Sequence, residues 1–149
     1  MRKSFLTTIA GAAILATTAL AGTAGAAKSK SFHFTETITG AQISSTEAAF
    51  KIHDSRVGNG AGVQILKLKG LAGTDTETTY YLNASAVSHG SFQIGAADAN
   101  GVAKLTGQGK DTGGTGKLKG FTSKYTYTGT FNLKTLVFKV VIKGTGTTR

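Results

Sequence analysis

The sequence predicts an all-β protein: an eight-stranded antiparallel β-barrel behind a cleaved signal peptide. Three observations carry that reading. Apolar residues recur with period two in segment after segment, and no window holds a helical stripe. Clusters of Gly, Asn, Asp and Thr separate those segments. The 149 residues include 21 Gly but no Pro and no Cys, so an exported chain of this composition must be stable without disulfides. Short strands with one apolar face form either a barrel or a sandwich. About eight strands in roughly 120 residues suit a small barrel, with the β-sandwich as the alternative.

Residues 1–26 read as a signal peptide. Met1-Arg2-Lys3 is a basic start, Phe5 to Ala21 is uncharged and mostly apolar, and Ala24-Gly25-Ala26 is a small-x-small cleavage pattern. The apolar stretch is diluted by Thr and Gly and is short for a membrane span of about 20 strongly apolar residues. The expectation is therefore a secreted or extracytoplasmic protein with no transmembrane segment in its mature form. Residues 27–149 make one domain, enough for a single core and too few for two.

Along that domain the strands follow in order. Ser31–Thr39 sets Phe32, Phe34 and Ile38 against His33, Thr35, Thr37 and Thr39; Thr46–His53 sets Ala48, Phe50 and Ile52 against Glu47 and Lys51. In Gly62–Lys69 the alternation blurs, whereas Thr78–Asn83 places Tyr80 and Leu82 on one face and Tyr81 on the other. Val87–Ala96 opposes Phe92 and Ile94 to His89, Ser91 and Gln93. Asn100-Gly101 then predicts a two-residue hairpin turn with positive φ at both positions, leading into Val102–Gly109. Thr122–Phe131 turns Tyr125, Tyr127 and Phe131 to one face, and the final strand alternates Leu136, Phe138, Val140 and Ile142 with Val137, Lys139, Val141 and Lys143. Lys117–Gly120 reads as a ninth strand or as the bulged start of the next one. Glycines are expected at barrel corners, where positive φ and close backbone approach are needed.

Charge is unevenly spread along the chain. All seven carboxylates lie at or before Asp111, and Thr112–Arg149 carries seven basic residues with no acid, a net of +7. Lys117, Lys119, Lys124, Lys139 and Lys143 fall on predicted outward faces of C-terminal strands. They are candidates for binding an anionic polymer of the cell envelope. Aromatic residues are not interleaved with them, which argues against nucleic acid. The other reading is a solubilising surface.

Catalytic and metal motifs find little support. His33, His53 and His89 stand singly without ligand spacing, so no metal is assigned, and no cofactor is implied. No G-x-S-x-G nucleophile turn occurs, and Gly113-Gly114-Thr115-Gly116-Lys117 lacks the spacing of a phosphate loop. The residues give no reason to assign an enzyme. Glu36 is the exception to the bland pattern, because it shares a face with Phe32, Phe34 and Ile38. A carboxylate pointing into a barrel must be paired, hydrogen-bonded or protonated. By the same parity Tyr80, Tyr125 and Tyr127 point inward, so Glu36 with these tyrosines is the candidate ligand-binding set of an otherwise apolar lumen. The alternative is a Glu at the barrel mouth that reaches water.

Two glycine-rich stretches carry a family resemblance. They are Gly58-Asn59-Gly60-Ala61-Gly62-Val63-Gln64, and Gly107-x-Gly109 leading through Gly113-Gly114-Thr115-Gly116-Lys117-Leu118-Lys119-Gly120-Phe121 to Tyr125–Phe131. The second resembles the signature of the allene oxide cyclase-like and dirigent-like barrels, especially secreted bacterial relatives of unassigned role. Leu118 stands here at the usual aromatic position, and Ser123-Lys124 replaces a Gly pair. The resemblance implies an eight-stranded barrel with an apolar lumen, often a homo-trimer. Plant members bind a hydrophobic molecule and steer its cyclisation or coupling, so an enzyme of this kind would be a cyclase-like isomerase or a dirigent-like auxiliary. None of their lumen residues is carried over to this chain.

Two functions follow as expectations: binding of a small apolar molecule in the lumen, or non-catalytic docking on polyanions through the basic face.

Overall fold

The computed structural model describes residues 29–148, so residues 1–26, the segment expected to be a signal peptide, lie outside the described residues. Eight strands follow one another: β1 (Lys30–Gln42), β2 (Glu47–Asp54), β3 (Gly58–Lys69), β4 (Ala72–Tyr81), β5 (Ala84–Ala97), β6 (Val102–Gly116), β7 (Thr122–Asn132) and β8 (Val137–Thr148). Each pairs antiparallel with its neighbour in sequence, and β1 pairs with β8 to close the barrel. Closure leaves no unpaired strand edge, which stabilises a chain that has no disulfide. No helix among the described residues is long and apolar enough to cross a membrane.

The strands are those that alternation predicts, with local differences: β3 and β5 start earlier, at Gly58 and Ala84, and β6 runs on to Gly116 instead of ending at Gly109. Strand β4 starts at Ala72, well before the expected Thr78. Lys117–Gly120 is neither a ninth strand nor a bulge. Its backbone forms successive turns, with Leu118 N–H donating to Thr115 O at 3.0 Å and Phe121 N–H to Leu118 O at 3.0 Å, while Gly116 and Gly120 take positive φ. The β5–β6 hairpin is also not the two-residue turn expected. Only Gly101 has positive φ, Gly101 N–H donates to Asp98 O at 2.9 Å, and the Asp98 carboxylate accepts from Asn100 N–H and Val102 N–H, both at 2.9 Å. An Asx-type cap thus replaces the second positive φ.

Most inward glycines serve neither corners nor positive φ; they lie beneath aromatic rings. A Cβ at Gly73 would sit 2.6 Å from Phe92 Cζ, and one at Gly109 would sit 2.5 Å from Tyr125 Oη. The lumen of a small barrel cannot hold a large side chain on every strand at one level. Here a ring on one strand occupies the volume that a neighbouring glycine leaves free. Between Val87 and Ser88 the β5–β6 register shifts, Val87 pairing with Gly113 and Ser88 with Asp111. The extra residue, Thr112, is a bulge that lets both Asp111 and Gly114 face inward.

The two ends of the barrel differ. The β2–β3, β4–β5 and β6–β7 connections share one end with the start of β1 and the end of β8. Leu118 and Phe121, from the β6–β7 connection, are buried there and close the lumen. The β1–β2, β3–β4, β5–β6 and β7–β8 connections share the other end. Around it Ile43, Leu68, Leu71, Leu133 and Leu136 are exposed.

Candidate functional site

Five of the seven carboxylates are buried in the lumen: Glu36, Asp54, Asp75, Glu77 and Asp111. Opposite them, all twelve lysines among the described residues are exposed, together with two acids, Glu47 and Asp98. The fold sorts charge by sign, acidic within and basic without. The basic surface therefore covers the whole barrel, not only its C-terminal quarter.

At the closed end Arg56, from the β2–β3 connection, reaches into the lumen. Its Nε donates to Asp54 Oδ1 at 2.8 Å and its Nη2 to Glu36 Oε1 at 2.8 Å and to Asp54 Oδ2. Backbone N–H of Arg56 also donates to Asp54 Oδ1, at 2.7 Å. The guanidinium carbon lies 4.1 Å from the centre of the Phe34 ring, 4.4 Å from Phe121 and 5.5 Å from Phe32, and buried Nη1 has no hydrogen-bond partner. Phe32 and Phe121 stack with centroids 5.8 Å apart. A planar cation suits such a site, because its edge pairs with carboxylates while its faces meet rings. Burial raises the Glu36 pKa to about 9, helped by the charge of Asp54 and opposed by Arg56. Burial also pulls Asp54 upward, but the hydrogen bonds from Arg56 outweigh it and hold its pKa below the usual value. The guanidinium thus favours the ionised form of Asp54, while burial beside that charge favours the protonated form of Glu36.

The other half of the lumen is hollow. A cavity of about 70 Å³ (space for the centres of water-sized molecules) has apolar walls that include Ile38, Leu66, Ile94, Leu105, Phe131 and Phe138. That exceeds by several-fold the ~10–15 Å³ that one water needs. The polar lining consists of Gln42, Gln64, Asp75, Glu77, Tyr125 and Tyr127. Glu77 accepts from Gln64 Nε2 at 3.0 Å and from Thr79 Oγ1 at 2.9 Å. Burial nevertheless raises its pKa to about 7, and burial raises that of Asp75 to about 6. Burial, and next the charges of Glu77 and Asp75, push the two tyrosines upward, so both remain protonated donors. Deeper in, Asp111 accepts from Ser88 Oγ at 2.5 Å and from Ser123 Oγ.

The structure separates the predicted ligand-binding residues. Tyr125 and Tyr127 line the cavity. Glu36 is buried and inward as expected, but it belongs to the closed end, where its partner is Arg56 and not a tyrosine. Tyr80 corrects the parity assigned to its strand: it is 59% exposed, and Tyr81 is the inward residue. Strand β4 turns Asp75, Glu77, Thr79 and Tyr81 inward and Thr74, Thr76, Thr78 and Tyr80 outward. The sequence reading missed Asp75 and Glu77 for that reason, and Arg56 because it lies in the β2–β3 connection, outside any alternation. Of the five lysines, Lys124 and Lys143 border a shallow outer depression together with Lys110 and His89. Lys139 lies farther along β8, and Lys117 and Lys119 sit on the closed-end turn and not on a strand. The three histidines are exposed, and no cluster among the described residues could hold a metal.

No family model, curated protein or solved structure matches this chain.

Proposed function

We propose that the protein is an exported barrel that binds a small apolar molecule in its lumen. The observation that carries this reading is the cavity itself, with apolar walls, a few polar lining groups and an end ringed by exposed leucines and Ile43. Such a pocket takes an apolar body and orients it through few polar groups. The resemblance to the allene oxide cyclase-like and dirigent-like barrels supports the same reading. No reaction is proposed. An apolar fluorescent dye should bind saturably at one site per chain. Ala48→Leu, which adds three carbons at a buried lining position, should weaken dye binding at least about tenfold and leave the strand signal in circular dichroism unchanged. Equal dye binding by both proteins would overturn the reading.

A second reading, docking on polyanions, is favoured by one observation: Lys110, Lys124, Lys143 and His89 converge on the same outer depression. Retention on an anionic matrix that falls steeply with salt would support it.

A further inference from the structure

Asp75, Gly90, Gly109 and Tyr125 stand in one register across β4, β5, β6 and β7. The two glycines leave space that the flanking residues use. A Cβ at Gly90 would lie 2.7 Å from Asp75 Oδ1, and one at Gly109 would lie 2.5 Å from Tyr125 Oη. Asp75 is 7% exposed, lines the cavity, and its Oδ1 has no hydrogen-bond partner. A buried carboxylate oxygen without a partner is costly, and the cost is relieved by whatever donates to it. Among the described residues no cation enters the lumen there; His89, exposed on the outer face of β5, favours the ionised form of Asp75 but does not line the cavity. Arg56 is the one cationic side chain among the described residues that enters the lumen, and Glu36 and Asp54 hold it. Every lysine among the described residues is on the outside.

We infer that the lumen selects a small amphiphilic amine, whose ammonium group seats against Asp75 beside Glu77 while its apolar body fills the cavity. The inference rests on the reading of the barrel as a lumen binder and adds the chemistry of the guest's head group. An anionic head would meet a side of the lumen lined by Asp75 and Glu77 with no counter-cation. A neutral alcohol would donate a hydrogen bond but would not balance the charge. Raised pKa values at both carboxyls accord with a site whose charge lacks a partner until a cation enters.

Calorimetric titration of the protein at neutral pH with hexylamine, hexanol and hexanoate tests this. Expected is hexylamine tightest, with a margin over hexanoate on the order of tenfold or more. The lysine-covered exterior attracts hexanoate and repels hexylamine, so a preference for the amine must come from the lumen. In Asp75→Asn the amine should fall to within about threefold of hexanol, while hexanol binding stays as in the wild type. Glu77→Gln, whose one amide oxygen still accepts from Gln64 while its NH2 donates to Thr79 Oγ1, gives a second variant should the first fold poorly. Hexanoate binding as tightly as hexylamine, or an amine preference that survives in both variants, would overturn the inference and leave the lumen reading intact. Failure of all three compounds to bind would overturn the lumen reading, and the inference with it.

Discussion

The two halves of the lumen solve the same problem differently. Each half buries a pair of carboxylates close together in sequence or space: Glu36 with Asp54 at the closed end, Asp75 with Glu77 beside the cavity. At the closed end a guanidinium answers the pair, and three phenylalanine rings enclose the guanidinium. Beside the cavity the pair meets an amide and a hydroxyl, both on Glu77, and one oxygen of Asp75 meets nothing. The first network pairs both carboxylates with a cation and fills its volume, leaving only Arg56 Nη1, packed among the rings, without a partner. The second is incomplete and faces a void. One half of the barrel is thus built for closure, and the other retains unsatisfied charge where a guest could supply the missing partner.

The strongest way to break this contrast is Arg56→Met. Asp54 is fully buried, and without the guanidinium its charge has no counter-ion. Removing one partner of a buried pair costs about 3–5 kcal/mol. Urea unfolding should show that loss, together with an uptake of protons by Asp54 at pH values where it is now ionised. Binding of an apolar dye should persist wherever the variant remains folded, since no closed-end residue lines the cavity. A variant as stable as the wild type would mean that the rings alone close the barrel.

The cavity pair should reveal itself through pH. Asp75 and Glu77 have folded-state pKa values of about 6 and about 7, both above their ordinary values of 3.8 and 4.5. For a raised carboxyl the folded state holds its proton more tightly than the unfolded state. Stability from that source is complete below the unfolded pKa and is lost as pH rises through the folded one. The window for this pair runs from about pH 4 to about pH 7. Glu36 extends the same trend toward pH 9, whereas Asp54, with a lowered pKa, loses stability only as pH falls through the acid range. Each two-unit shift corresponds to roughly 3 kcal/mol. Glu77→Gln should therefore be more stable than the wild type at pH 8, by up to about that amount, and indistinguishable from it at pH 4. Parallel stability curves for the two proteins from pH 4 to 8 would show that Glu77 has no raised pKa.

Much of this was legible in the alternation of residues. Phe34, Ile38, Phe50, Ile52, Phe131, Phe138, Val140 and Ile142 are buried as their parity requires, and the closed barrel follows from eight such strands. Parity misled in β4, where no large aliphatic residue marks a face and two adjacent tyrosines compete for the inward position. A different signal was present there. Threonine marks the outward face of β1 at Thr35, Thr37 and Thr39 and of β7 at Thr126, Thr128 and Thr130; the same habit at Thr74, Thr76 and Thr78 turns Asp75 and Glu77 inward. β-Branched hydroxyl residues suit a solvated strand face, whereas the acids follow from what faces them. Arg56 lies in a connection, outside any alternation, so its inward course depends on Asp54 and the rings and could not be read from spacing. The void was equally hidden, because it depends on which glycines lie under rings and which do not.

The smallest effect on stability and the largest on surface behaviour should come from the outer lysines, where comparing inside with outside sharpens the account of sorted charge. Replacing Lys110, Lys124 and Lys143 with Gln removes three charges from one depression, while Lys117→Gln with Lys119→Gln removes two from the closed-end turn. All five side chains are exposed, and none takes part in an ion pair among the described residues. Thermal stability should therefore change by no more than about 0.5 kcal/mol in either variant. Retention on a heparin-like matrix is the discriminating measurement. If polyanions dock in the depression, the triple variant should elute at clearly lower salt than the double variant, and by more than its one extra lost charge would explain, because charges that converge on one chain of anions release counter-ions together. If the basic shell serves only to keep the barrel soluble, elution should track net charge alone, each lost lysine shifting it by a similar step. In either case hexylamine affinity should rise slightly, since the shell repels the cation that the lumen is proposed to accept. A drop in that affinity would tie the lysines to the lumen and contradict the separation of an acidic interior from a basic exterior.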